Sequence, residues 1–554
     1  MHRDTATLST ARFDLLVVGA GIHGAFIAWD AALRGLSVAV IDAGDFGGAT
    51  SANSLKVIHG GLRYLQQVNV RRVIESINER ATLLSLAPHL VRPLPFMVPT
   101  RGYGKEGRAA LALALWLNDR FGAVARQDLP PDRRIEPGRV VNRATAVDLA
   151  PPLESVPLDG GAIWYDAQAS NTERLTLSVV QAAVAHGAIA ANYLRCEELR
   201  VANGRVTGAT LRDLIAETSF DVVARCVVNA TGTALRVAGG TIAPTNAPAR
   251  ALAVNLITRP VAQTVAFGVR SHRSSVDDPI GGGRRYLFFA PWRSSCLMGT
   301  FYRPWAATDP PRVSEELVAA ILTECNEACP GLGLALDDVR RVHAGLIPVN
   351  PDPAATNGQA ASGPASAPLM ARARIVDQAA HGGPHGLVSV FGVKYTTARR
   401  VAEETVNVIY RTLGSSAPPC RTASVPRALD NSEPSGEARG PFMQGTDAWL
   451  GRLDDVYGSG APAVLAAANA LDPQAAQPLA PESPVLRAEV VHAVSREMAV
   501  RLSDVVFRRT DLASEMAPAE AALRSAAELT AKLLGWSKAR RDQEIAAVRD
   551  AFQL

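Results

Sequence analysis

Apolar residues recur along the chain in two different patterns. Leu15–Val18 form a short continuous apolar run, as expected of a parallel strand covered on both faces. The pattern then predicts a helix over Ala25–Leu33, closed by Gly35, and a second apolar strand over Ser37–Ile41 that ends in Asp42. A similar start recurs late in the chain. Ser389–Phe391 read as a strand, and Gly392–Thr397 open a helix running to about Leu413. Between these units, "RRYLFFAPWRSSCLMGTFY" reads as two antiparallel strands around a PWRSS turn. From about 446 to 554 the chain is Ala- and Leu-rich with helical spacing, including Val490, Ala493 and Val494. "AALALALWLNDRFG", 109–122, reads as a buried helix or one lying on a membrane surface, with burial preferred. No window reaches the roughly 20 apolar residues that span a bilayer.

A length of 554 residues implies two or three domains. With 47% hydrophobic and 20% charged residues, the balance is that of a folded protein. A net charge of +4 without basic clusters argues against nucleic acid as a partner. The six cysteines are too few for a disulfide framework and read as thiols in a reducing compartment. Cys325 and Cys329 have no His or Cys partners at metal-ligand spacing, so no metal site is expected. The N-terminus lacks the apolar core of a signal peptide, which points to a cytoplasmic protein.

Gly19, Gly21 and Gly24 stand in G-x-G-x-x-G spacing between the first strand and its helix. Such glycines permit a tight turn, close approach to a pyrophosphate and close helix–strand packing, while the helix start offers free amides. Asp42, about 20 residues on, stands where an acid accepts hydrogen bonds from an adenosine ribose. The later "VVNATG", 227–232, is an apolar strand ending in Thr231 and Gly232, suited to a flavin dinucleotide. "TSANSLKVIHGGLRYL", 50–65, concentrates hydroxyls, a lysine, a histidine, two glycines, an arginine and a tyrosine.

These segments, with "SVFGVKYTT" and "EVVHAVSREMAVRLSDVVFRRTDL", occur in the order found in one family. Over nearly its whole length the chain resembles the FAD-dependent glycerol-3-phosphate dehydrogenases. The resemblance implies an α/β fold: a Rossmann-like FAD-binding domain, an antiparallel-sheet substrate domain and a C-terminal helical domain. It places Thr50, Ser51 and Ser54 on cofactor phosphate and ribityl oxygens, and Gly60 and Gly61 against the flavin ring. Lys56, Leu62, Gly345, Gly392, Thr396 and Thr397 are also implied on the cofactor side. Arg63, Tyr64, Arg372 and Lys394 are implied to face an anionic substrate, Lys394 also reaching the cofactor. His59 is read either as the base at the reacting edge or as a structural histidine, and Ser51 and Ser54 either as cofactor ligands or as caps of a helix starting at that point.

The substrate half departs from the family. Where relatives have Gly-x-Arg-Pro, this chain keeps Gly345 and Pro348 but carries Ile347. The family's Gly-Thr-Thr-Asp is here Gly299, Thr300, Phe301, Tyr302, and its Gly-Ser-His is not recognisable around "ARALAVNL".

The expected cofactor domain takes 1–100, 155–245 and 340–412; the substrate domain takes about 100–155 and 245–340. A linker over 413–445 leads to a helical unit over 446–554, read as a cap or a homodimer interface. "NPDPAATNGQAASGPASAP", 350–368, is a loop with nothing to bury. The expected activity is hydride transfer from an anionic, phosphorylated secondary alcohol to FAD. The family's electron acceptor is a membrane quinone, which implies peripheral contact with the inner face of the cell membrane. The alternatives are a different alcohol or amine substrate, or a flavin-binding protein with little turnover.

Overall fold

A computed structural model describes residues 1–62, 69–123, 125, 129, 133–233, 248–272, 285–306, 311–350, 369–370, 372–425, 428–430 and 447–553. The first sheet contains β1 (Arg12–Val18), β2 (Val38–Ile41), β7 (Ile189–Ala191), β8 (Leu194–Ala202), β9 (Arg205–Asp213), β10 (Ser219–Asn229), β16 (Arg374–Asp377) and β17 (Leu387–Phe391). Its order is β16-β17-β10-β1-β2-β7, with β9 and β8 continuing from β10 as an antiparallel hairpin. The five central strands, β17 to β7, run parallel.

Double coverage explains why the central strands are apolar throughout. Leu15, Val17, Val38 and Val40 face helices Ile22–Leu33, Thr172–Ala185 and Ala398–Thr412. Leu16, Val18, Ala39 and Ile41 face the β8–β9 hairpin and helix Thr5–Thr10. Successive side chains thus enter different cores, so neither set can be polar.

The second sheet contains β3 (Val57–Ile58), β4 (Val91–Thr100), β5 (Arg139–Asn142), β6 (Gly160–Ala169), β11 (Ala249–Thr258), β12 (Ala266–Arg270), β13 (Tyr286–Trp292), β14 (Ser295–Pro304) and β15 (Val339–Val349). Its order is β15-β11-β14-β13-β12-β4-β6-β3, with β5 on β6. All its pairs are antiparallel except β12 with β4. β13 and β14 are the expected hairpin. β3, β4, β6 and β15 come from stretches that the sequence reading assigned to the cofactor region, so the two sheets share segments closely.

The C-terminal unit packs helices Asp447–Tyr457, Ala461–Asn469, Arg487–Arg496, Glu520–Leu534 and Lys538–Asp550 around their own apolar core. The apolar stretch at 109–122 folds as helix Arg108–Phe121, but burial was the wrong expectation. Only Leu115 and Asn118 are buried, while Leu113 and Trp116 are each 58% exposed. The turn before it leaves Tyr103 fully exposed. No helix among the described residues is long and apolar enough to cross a membrane.

Candidate active site

The glycine fingerprint is built as its spacing requires. Gly19 has φ +99°. A Cβ on Gly24 would lie 1.8 Å from the Gly19 carbonyl oxygen, so only glycine lets helix Ile22–Leu33 start this close to β1. Gly21 is the N-cap and supplies no side chain. Ser51 supplies one from a distance: its Oγ accepts the Ile22 amide at 3.0 Å. No helix starts at Ser51 or Ser54, so neither caps one there; Ser51 instead satisfies the first amide of a distant helix.

Asp42, at the end of β2, accepts Ala20 N at 2.7 Å and Gly44 N at 2.9 Å. Burial raises its carboxyl above the ordinary value despite those two amides. Across the sheet, Thr231 bonds to Asn229 through both its amide and its hydroxyl, and Gly232 follows with φ +68°.

The segment 50–62 runs from this cradle to the second sheet. Thr50 donates to the Leu346 carbonyl at 2.9 Å, and Gly345 packs against Thr50. Ser54 accepts the Lys56 amide, closing a local turn. Lys56 corrects its expected cofactor role. Its ammonium is buried and pairs with Glu173 at 2.7 Å, also donating to Thr172 Oγ1. Leu62 packs into the apolar cluster with Val57, Phe96 and Trp164. Arg63 and Tyr64 lie outside the described residues.

His59 and Gly60 meet one carboxylate. β3 pairs with β6 with Ile58 opposite Ala167, a register that carries His59 alongside Asp166. His59 Nδ1 is 3.3 Å from Asp166 Oδ2, and Gly60 N donates to Oδ1 at 2.6 Å. Arg80 adds a bond to Oδ1 at 3.0 Å, and its guanidinium fills the space a Gly60 side chain would need. Burial alone would raise the Asp166 carboxyl; His59, Arg80 and the Gly60 amide outweigh it and hold it below its usual value. The His59 ring itself is half exposed. Asp166 escaped the sequence reading. Its signal was a single acid inside the apolar run "GGAIWYDAQA", where a buried charge must find partners.

The last parallel strand supplies the other wall. Thr396 is buried, and its Oγ1 accepts the His59 amide at 3.1 Å. Thr397 is the N-cap of helix Ala398–Thr412, and Gly61, two residues after His59, has φ +83°. Lys394 and Thr397 line a cleft of about 470 Å³ with Arg71, Arg72, Arg372 and Arg400. Arg372 is exposed there, while Arg374 starts β16 and lies over Phe391. The cleft's acids include Glu79, paired with Arg399, and Glu404, paired with Arg400. Ile347 instead joins an apolar cluster with Ala251, Tyr302, Val349 and Leu369.

Comparisons with known proteins agree with this geometry. The family profile described as FAD dependent oxidoreductase matches residues 14–400. The profile described as the C-terminal domain of alpha-glycerophosphate oxidase matches 442–541. The mitochondrial glycerol-3-phosphate dehydrogenase of Homo sapiens is 30% identical over 98% of this chain and 73% of that protein. The chain belongs to the family of FAD-dependent oxidoreductases that includes glycerol-3-phosphate dehydrogenase. A glycerol-3-phosphate dehydrogenase of Synechocystis sp. is 29% identical over 92% of this chain and 91% of its own length. The Bacillus halodurans glycerol-3-phosphate dehydrogenase, solved complexed with FAD, shares the fold at a TM-score of 0.72 and 22% identity. That match covers 99% of this chain and 96% of the other.

The oxidoreductase's own residues fit FAD. Two buried polar atoms near the fingerprint, His23 Nε2 and Asn229 Nδ2, have no protein partner. Such unpaired buried polar atoms carry a desolvation cost that a polar ligand removes. His23 follows the first residue of the fingerprint helix, and its ring packs against Gly392. Burial lowers the His23 pKa to about 4, which keeps the ring neutral. FAD is thus a cofactor that sequence, fold and site all support.

Proposed function

We propose that this oxidoreductase oxidises an anionic secondary alcohol, with His59 as the base and the Arg372–Lys394 cleft as the anion site. The observation that carries the reading is the link between the two. His59 is bonded through its amide to Thr396, whose neighbours Lys394 and Thr397 line the cationic cleft. Bound FAD supplies the hydride acceptor.

The chain's residues do the rest. Arg372 and Lys394 hold the anion and neutralise it; Arg63 and Tyr64 act on the same end of the substrate. Asp166 orients His59 through Nδ1, which leaves Nε2 to take the hydroxyl proton as the carbonyl forms. Thr50, Ser51, Gly60, Gly61, Gly345 and Thr397 border the cofactor.

A phosphorylated alcohol such as glycerol 3-phosphate suits the cleft's charge. Ile347 favours a second reading, a substrate with an apolar or bulkier group. By strand alternation it lies on the same face of β15 as Gly345, which faces Thr50, and it presents hydrocarbon where the family presents a guanidinium. Anaerobic mixing with phosphorylated and carboxylated alcohols, and with amines, tests both readings. Bleaching of the flavin by a phosphorylated alcohol supports the first, bleaching only by others supports the second, and no bleaching by any rejects the enzyme reading.

The helix Arg108–Phe121 supports peripheral attachment to a membrane surface; the inner face of the cell membrane and a quinone acceptor rest on the family resemblance. The helix offers Leu113 and Trp116 to the outside, an amphipathic arrangement suited to a bilayer interface.

A further inference from the structure

The loop after β2 is held from two sides. On one side it touches the fingerprint: Asp42 accepts Ala20 N, and Gly47 N donates to Ala20 O at 3.0 Å. On the other it is gripped by the C-terminal unit through Asp45, whose side chain is wholly buried. Arg509 makes a two-pronged contact with both Asp45 oxygens, each at 2.7 Å, and Arg508 Nε donates at 2.6 Å. Asn192 Nδ2 supplies a fourth bond at 2.9 Å.

The arginines are themselves aimed. Arg508 reaches Asp504 Oδ1 at 2.5 Å, and Arg509 Nε donates to the Glu497 carbonyl at 3.0 Å. Tyr193 ties the two units again, donating its hydroxyl to Asp504 at 2.6 Å and its amide to the Gly44 carbonyl at 2.9 Å. The C-terminal helices thus hold Asp45, and three residues earlier in the same short loop Asp42 holds the amide between Gly19 and Gly21, the backbone of 42–45 joining the two sets of bonds.

A buried ion cluster of this kind is a poor source of stability. Its desolvation cost offsets most of its Coulomb gain, and apolar packing of equal volume does as well. Fixed geometry is what it does provide: a bidentate guanidinium accepts a carboxylate in only a few orientations.

We propose that Asp45 is a positioning residue for FAD: gripped by Arg508 and Arg509, it sets the 42–48 loop against the glycine fingerprint. Cofactor binding and docking of the C-terminal helices are then thermodynamically coupled. The C-terminal unit becomes part of the cofactor site without touching the substrate cleft. This rests on FAD as cofactor and is independent of the substrate reading.

The test titrates full-length apoprotein with FAD, followed by flavin fluorescence, well below the thermal midpoint of every variant. Asp45→Asn keeps the shape and loses the charge; FAD should bind about 5- to 150-fold more weakly, the range typical of coupled sites. Arg509→Lys keeps the charge without the fork and should fall between wild type and Asp45→Asn. Arg293→Met removes the pair with Asp511 elsewhere on the C-terminal interface. It should lower the thermal midpoint yet leave FAD affinity within about twofold. Wild-type affinity in Asp45→Asn, or an equal loss in Arg293→Met, overturns the proposal. Should Asp45→Asn not fold, hydrogen exchange of the wild type decides. Reciprocity requires FAD to slow the amides of 502–512 as well as those of 15–24; unchanged exchange at 502–512 overturns it.

Discussion

His59 Nδ1 stands 3.3 Å from Asp166 Oδ2, and the same carboxylate receives the next amide, Gly60 N, at 2.6 Å. One buried acid thus orients the ring and the backbone beside it. If His59 is the base, His59→Gln should lower the rate of anaerobic flavin reduction by about 10²- to 10⁴-fold at unchanged FAD content. Asp166→Asn should also slow it and, by removing the carboxylate charge that Arg80 and the Gly60 amide share, lower the thermal midpoint. Wild-type flavin reduction in His59→Gln would make His59 structural.

Lys394→Ala should weaken an anionic substrate by about 1.5–3 kcal/mol, the scale of a hydrogen bond to a charged group. FAD content should hold, and raised salt should mimic part of the loss. Steady-state constants equal to wild type would remove Lys394 from the anion site.

Ile347 predicts slow turnover of glycerol 3-phosphate by the wild type. Ile347→Arg should raise that activity by about ten- to a hundredfold, in line with one regained charge-assisted bond. Wild-type kcat/KM above about 10⁴ M⁻¹s⁻¹, an ordinary enzymatic value, would refute the prediction, as would a folded, flavin-loaded variant with no gain.

The exposed helix Arg108–Phe121 predicts binding to lipid vesicles. Burying a large apolar side chain is worth about 1.5–3 kcal/mol, so Leu113→Glu with Trp116→Glu should abolish co-sedimentation. Flavin reduction by substrate should be unchanged. Equal sedimentation of the variant would place membrane contact elsewhere.

Stability should depend on pH through His23. Its folded value of about 4 lies below the ordinary 6.5, so the unfolded chain binds more protons between those values. Its contribution is full above pH 6.5 and is lost as pH falls toward 4, at up to about 1.4 kcal/mol per pH unit. Chemical denaturation at pH 7 and pH 5 should show the loss, and His23→Asn should shrink it. Below pH 4 a second loss follows, because Asp511 is held down to about 2, its pairs with Arg293 and Arg452 outweighing burial, and Asp166 is depressed in the same direction.

The cofactor half was legible because its information is local. A glycine turn, a helix start and an acid after the next strand lie within 24 residues of one another, from Gly19 to Asp42. Chain geometry forces them into one cradle once the strand–helix–strand unit forms. The apolar runs of β1 and β2 likewise announced a sheet covered on both faces. What the sequence left open were pairings between distant segments. Whether Ser51 capped a helix depended on Ile22, 29 positions earlier. Lys56 could have faced phosphate until Glu173, 117 residues on, claimed its ammonium. His59 became a plausible base only when sheet register set Asp166 beside it. The outward face of helix Arg108–Phe121 was undecidable from periodicity, because an apolar stripe is the same against a core or a bilayer. Hydrophobic period and glycine chemistry act over a few residues, whereas ion pairs and exposure are settled by which surfaces the folded chain brings together.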